Sequence, residues 1–193
     1  MNCKAFGLIL ALLATPVLAG PYQPVDVSRL PQSKQTGLGL YLSAPEAFKM
    51  KSEGGAKVLF IDVRTRGEFQ FVGASALVDR NIPLIELDSP PRWDARSGRY
   101  AMSLNPDFVA DVSALAARMN IGKGDPIIVM CRSGERSARA ADLLQAAGYG
   151  KVYSVVDGFE GDMSRNGRRE VNGWKNADLP WTYTMTEGQA SVR

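Results

Sequence analysis

The chain has no histidine. That excludes mechanisms that need an imidazole base or ligand, including Ser-His-Asp and Cys-His catalysis, and it removes the common zinc sites. Cysteine is nearly as scarce. Only Cys3 and Cys131 are present, so one chain supports neither a disulfide framework nor a cysteine-rich metal site. An excess of charge is missing too: the formal net charge is +3, too mild to indicate a nucleic-acid partner. There are no internal repeats and no low-complexity tracts. What is present is an ordinary globular balance of 45% hydrophobic, 22% charged and 8% aromatic residues, which argues against disorder, collagen and coiled coil. At 193 residues the prior is a single domain able to bury a core without a disulfide or metal staple.

The first residues read as an export signal. Lys4 precedes an apolar run over residues 5–14, and Val17-Leu18-Ala19 stands before Gly20. This order of charged, apolar and small residues predicts a signal peptide over 1–19, cleaved after Ala19. The alternative is an uncleaved anchor, but the run is short for a bilayer and Thr15-Pro16 interrupts it. The expectation is an exported protein of the bacterial periplasm, with no stable membrane anchor after cleavage. Its one remaining thiol is Cys131, and an unpaired thiol in an oxidising compartment suggests reactivity.

Residues 20–36, with Pro21, Pro24 and Pro31, read as an extended leader, and residues 186–193 as a frayed tail. Between them, strands are expected at 38–42, 57–63, 127–130 and 152–156, with a short extended piece at 81–84. The run Val58-Leu59-Phe60-Ile61 and the run Ile127-Ile128-Val129-Met130 suit strands buried on both faces. A helix capped by Ser43 runs to Gly54-Gly55, and a short one covers 65–71. Asn105-Pro106 opens another, with Phe108, Val112, Leu115 and Met119 on one face. A last helix covers 137–147 and is closed by Gly148. Strands alternating with helices imply an α/β domain with a parallel sheet flanked on both faces, over residues 37–185. Residues 88–105 lack periodicity and read as a long surface loop carrying an exposed Trp93. In the polar stretch 161–171, Arg165, Arg168 and Arg169 alternate with acidic residues, which implies a solvated surface. Trp174 and Trp181 are expected to pack against the domain.

The chemistry concentrates in Met130-Cys131-Arg132-Ser133-Gly134-Glu135-Arg136-Ser137-Ala138-Arg139. A strand ending at Cys131 places the thiol at the carboxyl rim of a parallel sheet, where ligands bind. Gly134 can adopt the positive φ that curls backbone N–H groups into an anion-binding nest, and the following helix adds the positive end of its dipole. Arg132 and Arg136 add full charges. All of these favour an anionic sulfur, itself a strong nucleophile. Glu135 opposes them and reads as a solvated side chain or a partner of Arg132 or Arg139. An isolated cysteine would be read as a small buried hydrophobe. The polar, basic, glycine-containing turn favours the reactive reading.

The segment Cys131-Arg132-Ser133-Gly134-Glu135-Arg136-Ser137, after Pro126-Ile127-Ile128-Val129-Met130, resembles the active-site loop of the rhodanese family. Ile61-Asp62-Val63-Arg64-Thr65 with Glu68-Phe69, then Asn81-Ile82-Pro83-Leu84, resemble that family's preceding segments. Gly148-Tyr149, Asp157-Gly158-Phe159 and Gly173-Trp174 through Leu179-Pro180 resemble its closing region. Phe71-Val72-Gly73-Ala74 departs from it, standing where many relatives carry a Gly-His pair. The resemblance implies a rhodanese-like fold over 37–185 and a sulfurtransferase. In it, Cys131 takes sulfur from a small anionic donor such as thiosulfate, forms a persulfide and passes the sulfur to cyanide or a thiol, which a protein could carry. Backbone groups of Arg132, Ser133, Gly134, Glu135 and Arg136 would cradle the donor. Asp62, Arg64 and Ser137 would support them, a structural ion pair or a cap being the alternative for Asp62 and Arg64. No metal or organic cofactor is called for.

Three other readings stay open. A cysteine phosphatase or arsenate reductase uses a similar loop, but with one more residue between cysteine and arginine than separates Cys131 from Arg136. A non-enzymatic persulfide carrier serving one partner would need the same loop. A thiol sensor would need Cys131 exposed.

Overall fold

The two apolar runs lie side by side at the centre of the fold. A computed structural model describes residues 25–190. In chain order it contains β1 (Tyr41–Leu42), α1 (Ala44–Gly54), β2 (Leu59–Asp62), α2 (Arg66–Phe71), β3 (Arg80–Asn81) and β4 (Ile85–Leu87). Next come β5 (Trp93–Asp94), β6 (Arg99–Tyr100), β7 (Met102–Leu104) and α3 (Phe108–Arg118). The last are β8 (Ile127–Met130), α4 (Glu135–Ala146) and β9 (Val152–Val155).

The main sheet has the order β1-β9-β8-β2-β3, and its strand pairs are all parallel. Parallel neighbours cannot be joined by a hairpin, so connections cross the faces and bring helices with them. Side chains alternate along each strand and divide the core in two. Leu59, Ile61, Ile127, Val129 and Val152 pack with Phe108 and Val112 of α3 and with Ala140 and Leu144 of α4. Phe60, Ile128, Met130 and Val155 pack on the other face with Ala47 of α1, Phe69 of α2 and Trp174. This is an α/β fold with a central parallel sheet flanked by helices on both faces.

Local chemistry sets the helix starts. Ser43 Oγ accepts the Glu46 N–H while Glu46 accepts the Ser43 N–H, and Thr65 and Glu68 repeat this reciprocal cap on α2. α4 starts at Glu135, two residues before the expected Ser137, because Gly134 itself is the N-cap at φ 102°.

Residues 88–105 are not an irregular loop. β4 pairs antiparallel with β7, and β5 with β6, making a ribbon that follows β3 in the chain and lies outside the main sheet. Asp94 makes its tip: its carboxylate accepts the Arg96 N–H at 3.0 Å and its carbonyl the Gly98 N–H at 2.9 Å, with Gly98 at φ 63°. The strands are short and both faces are largely exposed, so no apolar alternation marks them.

The leader, expected to be extended, forms two 3-10 turns at Val27–Arg29 and Gln32–Lys34, and Lys34 is buried. The tail, expected to be frayed, is fixed as far as Ala190. A turn at Glu187–Gln189 buries Gln189, whose amide donates to the Ser75 and Val78 carbonyls at 3.1 and 3.0 Å. The expected signal peptide at 1–19, leader residues 20–24 and residues 191–193 lie outside the described residues. Among the described residues, no helix is long and apolar enough to cross a membrane.

Candidate active site

Cys131 follows the last residue of β8 and opens the turn into α4. Strand alternation carries its side chain to the α3 and α4 face, beside Val129. Its Sγ accepts the Gly134 N–H at 3.1 Å. That contact requires glycine, because a β-carbon at position 134 would overlap the Val156 carbonyl and φ is 102°. The expected ring of amides is represented on Sγ, among the described residues, by this one hydrogen bond. The N-terminus of α4 begins at the next residue and adds a positive dipole end. Cys131 is 1% exposed, where the thiol-sensor reading expects an exposed sulfur, and sulfur transfer equally needs that sulfur to be reached.

The carbonyls of the turn are tied down from outside. Cys131 O accepts the Phe159 N–H at 2.8 Å, and Arg132 O accepts those of Glu160 and Gly161 at 3.0 and 3.2 Å. Gly158, at φ 64°, lies against them so closely that a β-carbon would sit 2.6 Å from Cys131 O. The peptide planes of the turn therefore cannot flip without breaking these bonds.

The charges are arranged less simply than the sequence implies. Arg136 does not offer a free cation, because its two terminal nitrogens donate to Glu68, each at 2.7 Å. Burial pushes Glu68 up, but the Arg136 hydrogen bonds and charge, with Thr65, hold it down at about 2. Burial works against the Arg136 cation, and Glu68, with smaller help from Cys131 and Asp62, holds it above its ordinary range. Glu135 is exposed, and its Oε1 accepts from Ser33 Oγ at 3.2 Å rather than pairing with Arg132 or Arg139. Arg132 and Ser133 are half-buried beside the thiol. Among the described residues, Arg132 Nε and Ser137 Oγ are buried without a hydrogen-bond partner.

Asp62 and Arg64 form a fully buried pair at the end of β2, the neighbouring strand. Arg64 Nε donates to both Asp62 oxygens at 3.0 and 2.9 Å, and Nη2 lies 2.7 Å from Asp62 Oδ2. Nη2 also donates to the Gly73 carbonyl at 2.8 Å, and the guanidinium sits 4.0 Å from the Phe159 ring centroid. Asn81 Nδ2 bridges the Asp62 and Arg64 carbonyls. The pair meets the segment behind the cysteine turn at the Phe159 ring, and the Phe159 N–H donates to Cys131 O.

Sequence reasoning missed Glu68 as part of the site, because Thr65-x-x-Glu68 is fully explained as a helix cap. It also missed Lys34 and Asp157. Asp157 accepts the Ala44 N–H at 2.8 Å and the Gly173 N–H at 3.1 Å, joining α1 to the segment that backs the turn. Burial raises its carboxyl from 3.8 to about 6, against the lowering effect of those amides and of Lys34. The native state then binds more protons than the unfolded chain between these values. Its stabilising contribution is complete below about pH 4 and falls as pH rises through 6, by about 3 kcal/mol. Urea unfolding of wild type and Asp157→Asn across pH 4–7 should show that decline in wild type only. Parallel curves would refute the assignment.

This α/β fold carries the cysteine turn at the carboxyl rim of its parallel sheet, the edge at which open α/β sheets bind ligands. Residues 43–164 match the Rhodanese-like domain, and the chain belongs to that family. It is 32% identical over 123 residues to an uncharacterized protein of Rickettsia rickettsii, covering 64% of this chain and 81% of that protein. It is 34% identical over 108 residues to thiosulfate sulfurtransferase 16, chloroplastic, of Arabidopsis thaliana, covering 56% of this chain and 75% of that one. The crystal structure of Rv0390 from M. tuberculosis superposes with a TM-score of 0.56 at 29% identity, covering 74% of this chain and 96% of that chain.

Proposed function

We propose that the protein is a sulfurtransferase whose nucleophile is Cys131. The Cys131 thiolate attacks the outer sulfur of thiosulfate; the S–S bond breaks and sulfite leaves with its electron pair. The resulting persulfide is attacked at its terminal sulfur by cyanide or a thiolate, which takes the sulfur and returns Cys131 to the thiolate. No oxidant or reductant enters. The observation that carries this reading is the Gly134 N–H aimed at Sγ, with α4 starting beside it. Relatives named thiosulfate sulfurtransferases support the donor class.

The acceptor we assign is a thiol on a partner protein that meets the ribbon. Its Trp93 and Tyr100 stack edge to face and stay exposed, and Leu87 is half exposed. The ribbon rises from the same rim as the turn, since Arg66 at the start of α2 pairs with Glu86 at 3.1 Å. Periplasmic export, argued from residues 1–19, is part of the same proposal.

Intact-mass measurement after thiosulfate treatment tests the reaction. Wild type should gain one sulfur, lost again on adding cyanide, and Cys131→Ser should gain none. A gain on the serine variant, or none on wild type, would sink the proposal. On the loaded protein, shortening the ribbon tip should slow delivery to a protein thiol and leave delivery to cyanide unchanged.

A further inference from the structure

We propose that Lys34 is a positioning residue for the cysteine turn, and that the segment around it braces Gly134 so that its N–H reaches Cys131 Sγ. Lys34 lies far from the turn in sequence, yet its Cδ would stand 3.0 Å from a β-carbon at Gly134. The Val156 carbonyl closes the same space from the sheet side. The space where a side chain at Gly134 would stand is thus closed by a strand end on one side and an aliphatic lysine stem on the other. The stem is held at its tip: Nζ donates to Asp162 Oδ1 at 2.6 Å, and Lys34 is 7% exposed.

That anchor is itself fixed. Asp162 Oδ2 accepts from Asn172 Nδ2 at 3.1 Å, and the Asp162 N–H donates to Asn172 Oδ1 at 2.8 Å. On either side of Lys34 the brace grips α4. Ser33 Oγ donates to Glu135 in its first turn, and the Gly37 N–H donates to Asp142 at 2.9 Å. Nothing in this segment touches the sulfur. Its effect passes through Gly134, which is also restrained by the Val156 carbonyl, by the Ala138 N–H donated to its own carbonyl at 3.0 Å and by the carbonyl contacts at 131 and 132.

A hydrogen bond donated to sulfur fixes the geometry in which it attacks, so loosening the brace changes how fast Cys131 reacts. The full chain carrying Lys34→Ala, Lys34→Arg or Asp162→Asn is labelled with iodoacetamide over a time course. Sulfur transfer from thiosulfate to cyanide is measured in parallel. Lys34→Ala should slow labelling and lower kcat, each about tenfold, because a small misplacement at the reacting atom acts on the chemical step. KM for thiosulfate should change less than kcat, since Gly134 is one of five backbone positions that would cradle the donor. Lys34→Arg, which keeps the stem and the charge, should restore most of both. Val58→Ala, at the opposite end of the sheet, serves as a destabilised control whose labelling curve stays in place.

A Lys34→Ala curve superimposed on wild type would overturn the proposal, whatever the loss of melting temperature. If that variant does not fold, Asp162→Asn carries the test, and an unmoved curve there overturns it equally. The kcat arm rests on the sulfur-transfer reading, but labelling needs no turnover. A moved curve in a protein that takes no sulfur from thiosulfate would leave the brace standing and remove the reaction.

Discussion

Gly134→Ala is expected to cut sulfur transfer about 100-fold or more while leaving a folded protein. The methyl group would overlap the Val156 carbonyl and approach Lys34 Cδ, and neither neighbour can yield freely. Val156 is tied through its N–H to Leu42 O at 2.9 Å, and Lys34 is anchored on Asp162. The turn must therefore move, and with it the amide that reaches Cys131 Sγ. A backbone conformation disfavoured for alanine adds about 1–3 kcal/mol of strain. Losing the donor and displacing the sulfur together should cost a factor of about 100 or more in kcat/KM.

The comparison that isolates the cause is Gly39→Ala. Gly39 also has positive φ, at 63°, but a β-carbon there meets nothing within 4 Å. It should lose about 1 kcal/mol by urea unfolding and keep its transfer rate. If Gly134→Ala and Gly39→Ala behaved alike in both assays, conformational strain alone would account for Gly134, and the amide would have no part in the chemistry.

The parts legible in the sequence were those whose information is local. The apolar runs at 59–61 and 127–130 have no polar face, and only a sheet covered on both sides accepts them. The caps at Ser43 and Thr65 are written within four residues. Cys131 and Gly134 could be read because a strand end, a glycine and a helix start lie in one stretch. The ribbon was not legible, since its strands are two or three residues long and its tip depends on Asp94 folding back on Arg96 and Gly98. The brace was not legible either. Lys34 meets Asp162 across 128 positions of sequence, and Gln189 meets Ser75 across 114. Arg136 looked like a free cation for the same reason, because Glu68, which neutralises it, comes from another element.

Asp62→Ala should be the most destabilising change at the site. Arg64 has no exposure, and Asp62 accepts its Nε, lies 2.7 Å from its Nη2 and accepts its backbone N–H at 2.9 Å. Nη1 already lacks a partner among the described residues, so truncating Asp62 leaves a buried cation with the Gly73 carbonyl and two aromatic rings as company. Removing one member of a buried pair costs about 3–5 kcal/mol, most of it the penalty of the abandoned charge. Replacing both, as Asp62→Leu with Arg64→Met, removes that charge and should recover a large part of the loss. Urea midpoints of the single and double variants decide it. A double variant no more stable than Asp62→Ala would mean that the pair is held for packing against Phe159, not for charge. The same double variant reports on function, because Phe159 donates to Cys131 O. With the fold recovered and the ring no longer held by the guanidinium, transfer should still fall, which separates the pair's effect on the turn from its effect on stability.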